Sequence, residues 1–232
     1  MELEKITSAG RGEPKRRYDD ACGTAHALDL IGERWALLVL RELMLGPRRF
    51  TDLKVDLPGI SANVLTQRLG ELEARGLVRR RFLPSPTRVA VYEATAWGLE
   101  AEPIVQSLGR WAARSPAHDP TLPISGVSIL LSFRTMIDAR RAKGIDARIG
   151  FRFGHDDYVA RIKKGAIKVA RASEARPLSG CDAVFSGPPS ALAAVVYGGQ
   201  PLDLVGVTGD RALAQRFTTL FPLPPKVGAD GH

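Results

Sequence analysis

Residues 57–82 read LPGISANVLTQRLGELEARGLVRRRF, and the reading of this stretch decides the fold. Pro58-Gly59 marks a tight turn. Ser61 follows at a helix N-cap, where its hydroxyl can accept from an orphan N–H in the first turn of a helix over Ala62–Ala74. Leu65, Leu69 and Leu72 recur four and three residues apart and make one buried stripe. Ser61, Asn63, Thr66, Gln67 and Arg68 face away from that stripe or flank it. Gly76 closes the helix. Leu77–Leu83 and Arg88–Ala94 then read as two strands joined by Pro84, Ser85, Pro86 and Thr87, a β-hairpin carrying Arg79, Arg80, Arg81 and Arg88. Arg80 shares strand parity with the apolar Val78 and Phe82, so Arg79 and Arg81 are the better candidates for an outward charge.

Working upstream, a short helix spans about Phe50–Val55, preceded by Arg48 and Arg49. Arg34–Leu45 reads as a helix that is apolar nearly all round, which belongs at the centre of a core, and Gly46-Pro47 stops it. Thr24–Ile31 reads as a first helix broken at Gly32. Residues 1–20 are a charged arm with the basic cluster Lys15, Arg16, Arg17, either a solvated tail or a segment laid on phosphates. Downstream, a helix starts near Thr95. Its seam of Trp97, Ala101, Ile104, Leu108 and Trp111 runs at spacings of four, three, four and three, and Pro103 should kink it. Such a seam either packs on its own domain or joins two copies of the chain.

Residues 115–123 hold Pro116, Pro120 and Pro123 and read as a linker. Beyond it the pattern changes. Ser125 can cap a helix over Gly126–Lys143. Ile145, Ala147, Ile149, Phe151 and Phe153 then alternate with polar or small residues as a half-buried strand. His155–Asp157 turns the chain. Tyr158–Ile162, Ile167–Val169, Ala183–Phe185 and Leu202–Val207 read as further strands. Pro189–Tyr197 and a segment capped by Asp210 read as helices. The expected fold is therefore α+β: an N-terminal domain over 21–114, a linker, a smaller α+β domain over 124–222 with a mostly antiparallel sheet, and a tail over 223–232.

Composition bounds the function. Of 232 residues, 44% are hydrophobic and 25% charged, enough apolar surface for a core. The formal net charge of +8 favours an anionic partner. Cys22 and Cys181 stand alone and the four histidines are scattered, so no metal-site or disulfide spacing is present and no metal is expected. The expected setting is the cytoplasm, with no membrane association: the N-terminus has no apolar run and no segment is long enough to span a bilayer. No P-loop, GxSxG, HExxH or dinucleotide fingerprint occurs, so no catalytic residue and no cofactor is assigned and the chain is not expected to be an enzyme.

A helix, a Pro-Gly turn, a polar-faced helix and a basic hairpin in that order are the parts of a winged helix-turn-helix, whose second helix enters the major groove of double-stranded DNA. Asn and Gln can pair adenine, Arg can pair guanine, and Ser or Thr can bond bases or phosphates. The competing reading is a solvated helix face. The candidate DNA contacts are Ser61, Asn63, Thr66, Gln67 and Arg68 on the helix, with Arg48, Arg49, Arg79, Arg81 and Arg88 on phosphates.

These motifs resemble the HxlR-type winged-helix regulators. The resemblance rests on Leu28-Asp29-Leu30-Ile31-Gly32, Arg34-Trp35, Leu40-Arg41-Glu42-Leu43, Gly46-Pro47-Arg48-Arg49-Phe50, Leu57-Pro58-Gly59-Ile60-Ser61, Val64-Leu65-Thr66-Gln67-Arg68-Leu69 and Gly76-Leu77-Val78. It implies a cytoplasmic bacterial repressor or activator that works as a homodimer on a palindromic operator. Trp97, Ile104, Leu108 and Trp111 would form the dimer contact. Two positions depart from the family pattern: Gly70 stands where a basic residue is usual, and Gly23 rather than proline follows Cys22. Cys22 is a candidate redox sensor or a structural thiol. The second domain resembles the sterol-carrier-protein fold, through its element order, residues 179–186 and Gly206-Val207-Thr208-Gly209-Asp210. That implies a tunnel for an apolar small-molecule effector. The alternative is a carrier of lipids or other apolar ligands whose N-terminal half is only a dimer scaffold.

Overall fold

The computed structural model describes residues 18–83 and 89–228. Arg88 and the cluster Lys15, Arg16, Arg17 lie outside the described residues.

Four helices come first among the described residues: α1 (Gly23–Ile31), α2 (Ala36–Glu42), α3 (Phe50–Asp56) and α4 (Ala62–Ala74). The helix expected from Arg34 starts two residues later, because Trp35 takes a left-handed conformation (φ 77°) that helix geometry excludes. It also ends at Glu42 rather than Leu45. Leu43 and Met44 bond back three residues, to Leu40 and Arg41, tightening the last turn before Gly46 reverses the chain. Val39 and Leu40 on α2 and Leu65, Leu69 and Leu72 on α4 are fully buried in a common core. The expected stripe is therefore the face that fixes α4.

The ends of α4 follow from local chemistry. Ser61 Oγ accepts from the Val64 N–H at 3.2 Å. At the other end Gly76 N–H donates to Glu73 O and Leu77 N–H to Leu72 O, both at 2.9 Å, the paired closure that a left-handed glycine permits. The hairpin β1 (Val78–Phe82) and β2 (Ala90–Ala94) follows at once. Arg48 pairs with Tyr92 through its N–H and C=O at 2.9 and 2.8 Å, a single-residue bridge that adds a third strand position to this wing.

The single kinked helix expected from Thr95 is two helices, α5 (Ala96–Leu99) and α6 (Glu102–Ala112). Pro103 lies in the first turn of α6, where its missing N–H leaves no helical bond unmade. It starts a helix instead of bending one. Gly98 in α5 is required by packing, since a Cβ there would lie 2.1 Å from the Leu77 carbonyl oxygen.

The second half contains α7 (Gly126–Met136), β3 (Ala147–Phe153), β4 (Asp156–Lys163), β5 (Ala166–Arg171), β6 (Ala183–Ser186), α8 (Pro189–Gly198), β7 (Gly206–Gly209) and α9 (Arg211–Thr218). The sheet order is β5-β4-β3-β6-β7, with β3 and β6 parallel and the other neighbours antiparallel. Three expected boundaries move. α7 stops at Met136, because Ile137 turns extended and the Asp138 carboxylate accepts the N–H groups of Arg140 and Arg141 to start a separate turn. Asp156 and Asp157 are paired strand residues opposite Phe153 and Arg152, so the turn is confined to Gly154 and His155. Leu202–Leu204 is a 3-10 turn, and the last strand begins only at Gly206.

Phe133, Phe151, Phe185, Phe217 and Phe221 fill the space between the sheet and helices α7 and α9. Phe133 stacks on Phe221 at 4.4 Å and meets Phe217 edge-on at 5.4 Å.

The two halves share one core and a polar seam. Glu42 of α2 is fully buried and accepts the Ser125 hydroxyl at 2.8 and 2.9 Å and Arg41 at 2.6 Å. The same Ser125 hydroxyl caps α7 by accepting from Ser128 N–H at 3.0 Å. Residues 223–228 run back along the connection between the halves, with Val227 N–H donating to Arg114 O at 2.7 Å. Among the described residues no helix is long and apolar enough to cross a membrane.

Candidate nucleic-acid interface

α4 presents one polar face. Ser61, Asn63, Thr66 and Gln67 are exposed along it, as is Gly70, while Leu65, Leu69 and Leu72 point into the core. These exposed side chains differ in how far they are committed. Thr66 Oγ1 bonds back to Ala62 O at 2.9 Å and Gln67 Nε2 to Glu71 Oε1 at 3.2 Å. The Asn63 amide forms no hydrogen bond among the described residues, so its full set of donors and acceptors faces solvent. Gly70 adds no side chain to that face, a Cβ there would meet open space, and exposed Glu73 follows within the next turn.

Two of the expected basic contacts are already occupied. Arg68 is buried and reaches Glu71 at 2.8 Å and Glu33 at 3.2 Å, tying α4 to the turn before α2. Its position beside the leucine stripe puts the guanidinium under the helix rather than on its outer face. Arg48 is 4% exposed and is held between Asp56 of α3 and Asp156 of β4, a carboxylate from each half of the chain. Spacing could not reveal this, because Asp156 lies 108 residues away. Neither side chain is free to meet DNA, and both hold the framework that presents α4.

On the wing, Glu93 of β2 gathers two arginines. Arg79 reaches it at 2.5 Å and Arg81 at 2.5 Å. Burial pulls the Glu93 carboxyl up, but hydrogen bonds from Arg81 and Arg79 outweigh it and hold the group below its ordinary value. Arg79 stays 67% exposed all the same. Arg80, the arginine that strand parity discounted, lies over the Phe82 ring at 5.6 Å and has no ion pair among the described residues. Exposed Arg49, at the N-cap of α3, likewise has none. Among the described residues Arg49 and Arg80 carry no ion pair, and neither do Arg34 ahead of α2 and Lys54 of α3.

Helices α5 and α6 expose apolar side chains. Trp97 is 46% exposed, Ile104 47%, Leu108 44% and Trp111 72%. Cys22 is exposed at the N-cap of α1, where the N–H groups of Thr24 and Ala25 hold its thiol below the ordinary value, and it forms no disulfide.

Residues 30–119 match the model of the HxlR-like helix-turn-helix family. An uncharacterized HTH-type transcriptional regulator, YvaP of Bacillus subtilis (strain 168), is 37% identical over 87 residues, which are 37% of this chain and 80% of that protein. The chain belongs to the HxlR-like helix-turn-helix family. The HTH-type transcriptional regulator YodB of the same organism is 36% identical over 86 residues, 37% of this chain and 77% of the relative. The solved reduced form of YodB is 33% identical, covers 42% of this chain and 98% of its own, and superposes with a TM-score of 0.38. The family match ends before α7, so the second half lies beyond the matched residues.

Proposed function

We propose that this chain is a sequence-specific, DNA-binding transcriptional regulator that works as a homodimer on a palindromic operator. The observation that carries the reading is the outer face of α4, where Asn63 is unpartnered and Thr66 and Gln67 stand one turn further on. That face is backed by a buried leucine stripe, and Arg49 and Arg80 are exposed cations without an ion pair among the described residues. Asn63 and Gln67 supply base-edge readout, Ser61 and Thr66 contact bases or phosphates, and Arg49 and Arg80 neutralise the backbone. Arg79 and Arg81 join them where a phosphate draws them off Glu93.

The exposed seam of Trp97, Ile104, Leu108 and Trp111 brings two copies together. A two-fold pair of α4 helices then meets half-sites one helical turn apart. Family membership supports both points, and relatives named HTH-type transcriptional regulators support the regulatory role. The second half, with its resemblance to the sterol-carrier fold, is the module through which an apolar small molecule acts. The positive charge is consistent with DNA as partner.

The test is a fluorescence-anisotropy titration of DNA from upstream of the protein's own gene against scrambled DNA. Asn63→Ala and Gln67→Ala should each reduce the preference for the native fragment by about 1–3 kcal/mol. Arg49→Ala and Arg80→Ala should weaken binding to both DNAs alike and lower the salt slope by about 1 each. An unchanged sequence preference in the Asn63→Ala/Gln67→Ala double variant overturns readout by α4.

A further inference from the structure

We propose that the cleft where the two halves meet binds an uncharged, largely apolar small molecule, seated by its polar end on the Ser132–Tyr197 hydroxyl pair, and that its occupancy changes DNA affinity. The last clause rests on the regulator reading above. The cleft encloses about 640 Å³, within the range of small-molecule sites. Leu37 and Leu38 of α2 form one wall, Val105 and Leu108 of α6 a second, and Leu131 of α7 a third, with Leu122 at the mouth.

The space exists in part because the C-terminal half of α6 turns small residues toward it. Gly109, Ala112 and Ala113 stand where larger residues would close the gap, and a Cβ built on Gly109 meets nothing within 4 Å. Part of the interior of the second half is filled by rings in contact, Phe133 against Phe221 and Phe217. The cleft lies between the halves, and the second half supplies Leu131, Ser132 and Tyr197 to it.

The polar lining selects the ligand class. Ser132 Oγ and Tyr197 Oη lie 2.7 Å apart. They share one hydrogen, which leaves the other hydroxyl hydrogen free to donate to a carbonyl or hydroxyl. Burial pushes the Tyr197 phenol up, so it stays a neutral donor. Arg41, the cation bordering the cleft, is bonded to buried Glu42 at 2.6 Å and is not free to take an anion. Asp119 is tied to Thr121 at the exposed margin.

Position gives the site its leverage. Its wall α2 packs against α4, and its wall α6 carries the dimer seam. A ligand that fits one spacing of α2 and α6 better than another shifts the population toward that spacing.

The experiment titrates the full-length protein with the uncharged fluorophore Nile red, alone and with operator DNA. One saturable site per chain with enhanced, blue-shifted emission is expected. Gly109→Phe, which projects into the empty space, should weaken dye binding by about tenfold or more, equivalent to about 1.4 kcal/mol of lost contact. Ala112→Phe is the second filling variant, and thermal melts establish that each is folded. Tyr197→Phe should weaken binding by about threefold to tenfold through its lost hydrogen bond. Equal dye affinity in wild type and both filling variants overturns the site, and unchanged affinity in Tyr197→Phe overturns the hydroxyl seat. Dye binding that disappears as the chain dimerises shows that a second copy fills the cleft and also overturns the site. Dye seated in the cleft with operator affinity unaltered overturns the regulatory clause. Dye binding without any DNA binding leaves the cleft standing and removes the regulator reading instead.

Discussion

Ile104→Glu/Trp111→Glu is expected to abolish the proposed dimer and to lower affinity for the proposed operator by about 10²–10⁴-fold, the gain that linked half-sites normally provide. Trp111 is 72% exposed and Ile104 47%, on the side of α6 away from the small residues that face α7. Aromatic and aliphatic groups left in water at helical spacing gain most from a second apolar surface, and two carboxylates placed there cannot be desolvated together. The fold should survive, because neither side chain belongs to the buried core. Sedimentation analysis and anisotropy on full-length and half-site DNA check it. A variant that remains dimeric places the contact elsewhere. A monomer that keeps full operator affinity removes the two-half-site arrangement.

The second large effect concerns the seam between the halves. Asp156→Ala should destabilise the protein by about 3 kcal/mol and loosen the wing against β4. Asp156 accepts from Arg48 and, at 2.6 Å, from Arg171, and Arg171 also donates to Tyr158 Oη at 3.1 Å. Removing the carboxylate leaves the buried Arg48 with Asp56 alone. Arg48→Met replaces the cation with an apolar chain of similar length and should cost less. The coupling between Arg48→Met and Asp156→Ala in denaturant titrations isolates the pair. A coupling indistinguishable from zero refutes the latch.

The acid response follows from the same group. Burial works against the Asp156 carboxylate, but hydrogen bonds from Arg171 and Arg48 outweigh it and hold its pKa below the ordinary value. A depressed carboxylate contributes stability that is fully present above the unfolded value of about 3.9 and is lost as pH falls through the folded value. The wild type should therefore keep this contribution from neutral pH down to about pH 5. The difference between wild type and Asp156→Ala should narrow only in stronger acid.

Local signals made the first half largely legible. Ser61, Pro58-Gly59, the leucines of α4 and Gly76 each act within a turn or two of their own position, so the helix and its caps appear in the order of residues. The alternation in β3 and the cap at Asp210 are local in the same sense. Helix ends were less legible. Trp35 at positive φ and the early stop at Met136 depend on contacts that periodicity does not report, such as the Asp138 N–H donating to Leu220 O.

The sequence by itself determined the order of the elements, the buried stripe of α4 and the chemical identity of its outer face, because each follows from spacing along one chain segment. The tertiary structure alone decided which charges remain available. As letters Arg68 looks like a base contact and Arg48 like a phosphate contact, yet Asp156, Asp56, Glu33 and Glu71 consume them, while Glu93 takes Arg79 and Arg81 and leaves Arg80 without an ion pair among the described residues. It also opened the cleft beneath α6, where Gly109 and the alanines meet walls from α2 and α7 that are distant in sequence. Electrostatic pairing and empty volume both depend on which side chains meet across the fold, and residue spacing holds no record of that.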